Sequence, residues 1–247
     1  MTTPPTNDAT TRLSAVQAHI ARAALDARRS AAAVTLIAVS KTHDAAAIQP
    51  LIDAGQRVFG ENRVAEAAAK WPALRAANPD ITLHMVGQLQ SNKAEQAVAL
   101  FDCVHSLDRP SLVTALAHAM DRAGRRIPCF IQVNLDPLGL PRGRAENPLA
   151  LAQGEGQSRR GEGKGGCAPA ALPALLELAR KAGIDVIGLM TVPPLGLEPA
   201  PWFALLAKMA DDHDLPCLSM GMSGDYESAV RIGATHVRVG SALFGTR

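Results

Sequence analysis

The chain has 247 residues, a net charge of +2, 47% hydrophobic residues and 19% charged residues. That length and apolar content suit one large core, such as an α/β barrel of about 250 residues, or two small domains, and exclude global disorder. The near-neutral charge and an aromatic content of 3% leave no electrostatic or stacking case for nucleic acid or a membrane surface.

Cys103, Cys129, Cys167 and Cys217 have no metal-ligand spacing and are too sparse for a disulfide framework. They read as reduced thiols, and no metal is expected. The first twelve residues, MTTPPTNDATTR, lack the apolar segment of a signal peptide, and no apolar run reaches about 18 residues. The expectation is a soluble cytoplasmic protein.

Residues 1–9 are polar and proline-rich, and are expected to be frayed. An Ala-rich helix over 10–29 carries Leu13, Val16, Ile20 and Leu25 roughly on one face. The apolar, β-branched run 34–40 reads as a buried strand ending in Ser40-Lys41-Thr42. Asp44 caps a helix to about residue 54, which Gly55 ends. A short strand over 57–59 runs into Gly60-Glu61-Asn62, and a helix covers 63–77. A third strand spans 81–86, and Ser91 caps a helix to about residue 100. A fourth strand covers 101–105, a helix beginning near Pro110 runs to 122, and a fifth strand covers 127–133.

The pattern breaks over 135–168, a Gly- and Pro-rich stretch of mixed charge with no hydrophobic period. It reads as a flexible loop or insertion within a single domain spanning 10–247. A helix over 169–181, a strand over 184–190, a helix within 199–213 and a short strand over 216–220 follow. Ser223 or Asp225 then caps a helix to about 232, before an eighth strand over 235–239. Eight strands alternating with helices imply a parallel sheet with helical crossovers, and the count points to a single (β/α)8 barrel with an extra N-terminal helix. An open doubly wound sheet is the runner-up, but it would carry a Gly-rich turn where this chain has Ser-Lys-Thr-His.

Barrel chemistry sits at the C-terminal ends of the strands. There the chain places Lys41, the trio Gly60-Glu61-Asn62, His84 with Gly87 and Gln88, His105-Ser106, Asn134, Met190-Thr191, Gly221 to Ser223, and Gly240-Ser241. Lys41 is either a snorkelling surface lysine or an amine made nucleophilic by a pocket. The Gly- and Ser-rich loops 219–225 and 238–245 suit a phosphate. Arg238, inside the eighth strand, needs a buried partner, for which Glu61 is one candidate. A lysine facing a phosphate cup suits pyridoxal phosphate (PLP), and equally a Schiff-base aldolase acting on sugar phosphates.

The motifs AVSKT (38–42), FGENRVAE (59–66), HMVGQLQSNK (84–93), VHSLDR (104–109), IQVN (131–134), GLMTVPP (188–194), LSMGMSGDYESAV (218–230) and VRVGSALFGTR (237–247) resemble, in order and over nearly the whole chain, the YggS/PROSC family of PLP homeostasis proteins. The resemblance implies a fold like the N-terminal barrel of alanine racemase (PLP fold type III). It implies a Schiff base on Lys41, and a phosphate held by Ser223 with the backbone of Gly240 and Ser241. Arg238 would face the pyridine nitrogen, with Asn62 and His84 near the cofactor. Glu162, Lys164 and Gly166 stand where the family has a short acidic segment, after an extra stretch of about 135–160. The resemblance further implies a non-catalytic carrier or regulator of the vitamin B6 pool, with PLP-dependent apoenzymes as recipients.

Physical reasoning agrees with that label. A racemase needs two acid/base groups flanking the substrate carbon. The chain ends at Arg247 directly after its eighth strand, so no second domain is expected. Its single tyrosine, Tyr226, lies in a helix where packing is the better reading. The alternative is a PLP-dependent amino-acid racemase or related lyase. No apolar interface stripe stands out, which points to a monomer.

Overall fold

The computed structural model describes residues 8–136 and 165–245. Eight parallel strands close into a barrel in strict chain order. They are β1 (Thr35–Val39), β2 (Val58–Glu61), β3 (Thr82–Met85), β4 (Cys103–Leu107), β5 (Cys129–Gln132), β6 (Val186–Met190), β7 (Cys217–Ser219) and β8 (His236–Val239). The outer layer comprises α1 (Ala9–Asp26), α2 (Ala45–Asp53), α3 (Val64–Ala77), α4 (Ala94–Leu100), α5 (Pro110–Ala123), α6 (Leu172–Lys181), α7 (Ala200–Asp211), α8 (Tyr226–Arg231) and the single turn α9 (Ser241–Phe244).

The helices form because apolar residues recur at helical spacing and local chemistry fixes their ends. Leu13, Val16, Ile20, Ala23 and Ala24 of α1 are buried, and the Asp8 carboxylate accepts the Thr11 N–H at 2.7 Å. That helix therefore starts at Ala9, inside the segment expected to be frayed. Helix α5 ends on Gly124 in the left-handed conformation, the usual glycine stop. Ser91 does not cap α4. It opens a 3-10 turn, Ser91–Lys93, and its hydroxyl accepts from Arg109.

Alternation along each strand sends one set of side chains outward to the helices and the other into the lumen. Outward, Phe59 packs on the fully buried Trp71 of α3, with ring centroids 5.0 Å apart. Inward, contacts join strands that are not neighbours: His105 of β4 with Ser219 of β7, His84 of β3 with His236 of β8, and Phe130 of β5 with His236. Such pairs can meet only across the lumen, so the barrel is filled by side chains. At the N-terminal end, Asp102 accepts from Arg75, Arg125 and the Leu83 N–H. This tie between β3 and β4 lies away from the catalytic rim of such barrels.

Of the segment 135–168, residues 137–164 lie outside the described residues, and with them Glu162 and Lys164. On its two flanks, Leu135 and Cys167 are buried, and Cys167 forms a parallel bridge with Val133. The Gly166 N–H donates to the Asp108 carboxylate at 3.3 Å. All four cysteines are free thiols. No helix among the described residues is long and apolar enough to cross a membrane.

Candidate functional site at the C-terminal rim

Closure of the barrel makes β1 and β8 neighbours, with Ile37 opposite Arg238. Residues about 200 positions apart in sequence thereby share one corner of the rim. On the β1 side the strand ends in a tight turn, in which the His43 N–H donates to the Ser40 carbonyl at 3.1 Å. Lys41 is exposed in this turn and keeps the alternation parity of the lumen residue Ile37. Thr42 has φ +65°, a left-handed conformation that is costly for a β-branched residue.

On the β8 side the Gly240 N–H donates to Ser223 Oγ at 3.1 Å, joining the loop after β7 to the end of β8. The loop turns at Gly221, where φ is +93° and a Cβ would stand 2.6 Å from Ala229 Cβ. Asp225 closes it by accepting the Met222 N–H; Asp225, not Ser223, occupies the N-cap position of α8, without a side-chain hydrogen bond into the helix. Ser241 is exposed and opens α9. The N–H groups of Ser223, Gly224, Ser241 and Ala242 make no hydrogen bond among the described residues. These are the donors an anion requires. Arg12 of α1 donates to the Leu243 carbonyl at 2.6 Å and pins α9 in place.

Below this corner lies a buried polar chain. Arg238 Nη1 donates to Ser219 Oγ at 2.6 Å, and Nη2 donates to the Thr191 carbonyl at 2.8 Å. Ser219 Oγ lies 2.8 Å from His105 Nδ1, and His105 Nε2 lies 2.9 Å from His84 Nδ1. Burial lowers the Arg238 pKa to about 10, against the opposing pull of Asp225. Burial lowers His84 to about 3, with a further push from His236, and holds His105 well below its ordinary value. Both imidazoles are therefore neutral. Each donates one proton and accepts another, so the hydrogen bonds run in a single direction through the two rings.

The expected pairing of Arg238 with Glu61 does not occur. Glu61 is the last residue of β2 and faces outward. There its Oε1 accepts from Ser40 Oγ (2.6 Å), Trp71 Nε1 (3.0 Å) and Lys70 Nζ (2.9 Å). Arg238 faces the lumen, on the other side of the sheet. Asn62 is half-buried beside β3, where a Cβ on Gly87 would stand 2.4 Å from the Asn62 carbonyl oxygen. His84 is enclosed in the lumen, one layer below the rim. Lys41, Ser223, Gly240 and Ser241 thus form the rim corner, Arg238 and His84 the layer beneath, and Asn62 the adjoining edge. Tyr226 does not belong to the corner: its hydroxyl is 3.0 Å from His19 Nδ1 on α1.

Sequence reading missed Lys70 and placed Ser219 in the phosphate loop 219–225, whereas its hydroxyl joins Arg238 to His105 in the lumen. Ser219 sits in an apolar run, and only its parity with Gly221 signals the lumen. Lys70 stands four residues after Glu66 on a helix, the pattern of a solvated pair. The donor atoms of His84, Cys103 and His105 lie within 4.8 Å of one another. The two imidazoles bond to each other, and burial raises the Cys103 pKa well above its ordinary value. In this state the three side chains pack as neutral groups in the lumen.

The family described as "Alanine racemase, N-terminal domain" matches residues 12–155 and 157–247. A Pseudomonas aeruginosa protein named "Pyridoxal phosphate homeostasis protein" is 37% identical over 238 residues, covering 94% of this chain and 93% of that protein. The chain belongs to the family of pyridoxal phosphate homeostasis proteins. Among solved structures, PipY of Synechococcus elongatus PCC7942 with PLP bound is 37% identical, with a TM-score of 0.74 over 96% of this chain and all of that one. Alanine racemase from Bartonella henselae, with covalently bound PLP, shares the fold at a TM-score of 0.64 and 15% identity. It covers 96% of this chain and 59% of that one.

Proposed function

We propose that the chain binds pyridoxal 5'-phosphate as a Schiff base on Lys41 and serves PLP homeostasis in the cytoplasm, as a non-catalytic monomeric carrier. The observation that carries this reading is the corner made by barrel closure. It sets an exposed primary amine at the end of β1 beside the hydroxyl and backbone donors of Ser223, Gly240 and Ser241 at the end of β8. PLP supplies an aldehyde at one end of its ring, a phosphate at the other and an electron-withdrawing ring between them. Lys41 would supply the amine that condenses with the aldehyde, whose oxygen would leave as water with no change of oxidation state. Ser223, with the backbone of Gly240 and Ser241, would hold the phosphate, which would compete with Ser223 Oγ for the Gly240 N–H. Arg238 would stand at the ring nitrogen, and Asn62 and His84 would line the ring's surroundings.

Two features favour holding over turnover. Arg238 spends two N–H groups on Ser219 and Thr191 and remains a buried cation, which disfavours a protonated ring nitrogen and so weakens carbanion stabilisation. The hydroxyl of Tyr226 is engaged by α1 on the outer surface of the barrel, so it does not provide a second acid/base group at the rim. The recipients are PLP-dependent apoenzymes. The alternative is an amino-acid racemase or related lyase on the same lysine.

The test is a visible spectrum of the purified protein with and without added PLP, for the parent chain and Lys41→Ala, paired with a chiral assay against a panel of amino acids. The reading expects a lysine-dependent absorbance band and no turnover. A band that persists in Lys41→Ala overturns the tether, and Lys41-dependent turnover establishes the alternative.

A further inference from the structure

Beneath the exposed lysine lies a second, buried one. Lys70 of α3 is 9% exposed, and its ammonium donates to the Ser40 carbonyl at 2.9 Å and the His43 carbonyl at 2.7 Å. It also pairs with Glu61, which is fully buried, at 2.9 Å. An ammonium has three N–H donors, so these contacts spend them all. Glu66, one turn earlier on α3, stands 3.3 Å from the same ammonium and accepts the Thr42 N–H. Ser40, Thr42 and His43 surround Lys41. Three backbone groups of the turn that presents Lys41 are thus held by two side chains of a single helix.

The turn needs holding. A left-handed threonine is strained and persists only where its surroundings over-determine it. Three otherwise unexplained features then have one cause: a lysine taken out of water, a buried carboxylate beneath it, and a strained residue directly after the exposed amine. We infer that Lys70, anchored by Glu61 and assisted by Glu66, is a positioning residue that locks the Ser40–His43 turn and so aims Lys41 at the cofactor. Lys70 itself is kept from the aldehyde by its place: its nitrogen is buried beneath the turn and engaged by the Ser40 and His43 carbonyls and by Glu61. This rests on the reading that Lys41 takes PLP.

The experiment uses the full-length chain and PLP itself. Removing Lys70 alone strands the Glu61 charge and risks unfolding, so the test variants are Glu66→Ala, the neutral double variant Glu61→Gln/Lys70→Met, and Lys70→Arg. The measurements are the PLP dissociation constant, the thermal unfolding midpoint, and mass mapping of the adduct after borohydride reduction.

If the competent turn falls to a tenth of its population, the dissociation constant rises about tenfold. Glu66→Ala is expected to show about that loss at an almost unchanged midpoint, with the adduct still on Lys41. The double variant is expected to bind at least as weakly, and Lys70→Arg to restore binding to within a few-fold. Parental affinity in both Glu66→Ala and the folded double variant overturns the lock, as does an arginine variant no tighter than the neutral one. A parental adduct on any lysine other than Lys41 overturns the underlying reading instead, and the lock with it.

Discussion

Replacing His236 by phenylalanine should make the protein more resistant to acid. His236 and His84 meet across the lumen with ring centroids 6.2 Å apart, and burial lowers their pKa values to about 4 and about 3. An unfolded histidine titrates near 6.5. The folded values lie below the unfolded ones, so the unfolded chain takes up the extra protons as pH falls. Stability is therefore complete above about pH 6.5 and is lost on the way down to about pH 4 for His236 and about pH 3 for His84. Between about pH 7.5 and about pH 5, each ring costs about 2 kcal/mol, or about 4 kcal/mol for the pair. His105 adds in the same direction. That is a large part of a typical folding free energy of about 5–15 kcal/mol. In His236→Phe the new ring fills the space beside Phe130, whose centroid lies 5.0 Å away, and one proton-linked loss disappears. Urea unfolding at the two pH values should show the variant losing about 2 kcal/mol less than its parent, with carboxylate contributions cancelling in the difference. Parallel losses in both proteins would refute a neutral imidazole at this position.

Gly221→Ala forces a Cβ into a φ of +93° and to within 2.9 Å of Tyr226 Cα. It should lower stability by about 1–3 kcal/mol and weaken PLP binding through the displaced Ser223 loop, as read by denaturant midpoint and PLP titration. Tyr226→Phe should leave PLP binding untouched and cost about 1 kcal/mol of stability through the lost contact with His19; a large loss of binding would bring Tyr226 back to the rim chemistry. Ser223→Ala removes the acceptor of the Gly240 N–H and a donor to the phosphate. It should weaken PLP about tenfold or more, with a smaller effect on pyridoxal, which lacks the phosphate. Equal losses for the two ligands would count against the phosphate assignment.

The eight strands were legible because each is a short apolar run bounded by turn residues, and the strict alternation with helices left a closed parallel barrel as the natural solution. Strand ends were harder. Gly60-Glu61 has turn composition, yet β2 runs through Glu61, because Ser40, Lys70 and Trp71 compensate that buried carboxylate. Those partners come from two separate segments, the end of β1 and helix α3, so nothing local in the sequence announces them. Extending β2 by two residues would also have excluded the Glu61–Arg238 pairing: Gly60 faces Ile37 in the lumen, so Glu61 must face away. Lys41, Ser223, Gly240 and Ser241 were singled out from motif chemistry at strand ends, and barrel closure brings those two ends side by side. Lys70 was hidden because an i,i+4 pair on a helix looks the same whether it faces water or the underside of a turn.

The position of the tether on the chain is open to direct chemical mapping. Purified protein incubated with PLP, reduced with borohydride and digested should yield a single pyridoxyl-modified peptide, carrying the label on Lys41 and absent from Lys41→Ala. A label on Lys70, Lys93 or any other lysine, or an unlabelled chain at saturating PLP, would contradict the tether on Lys41.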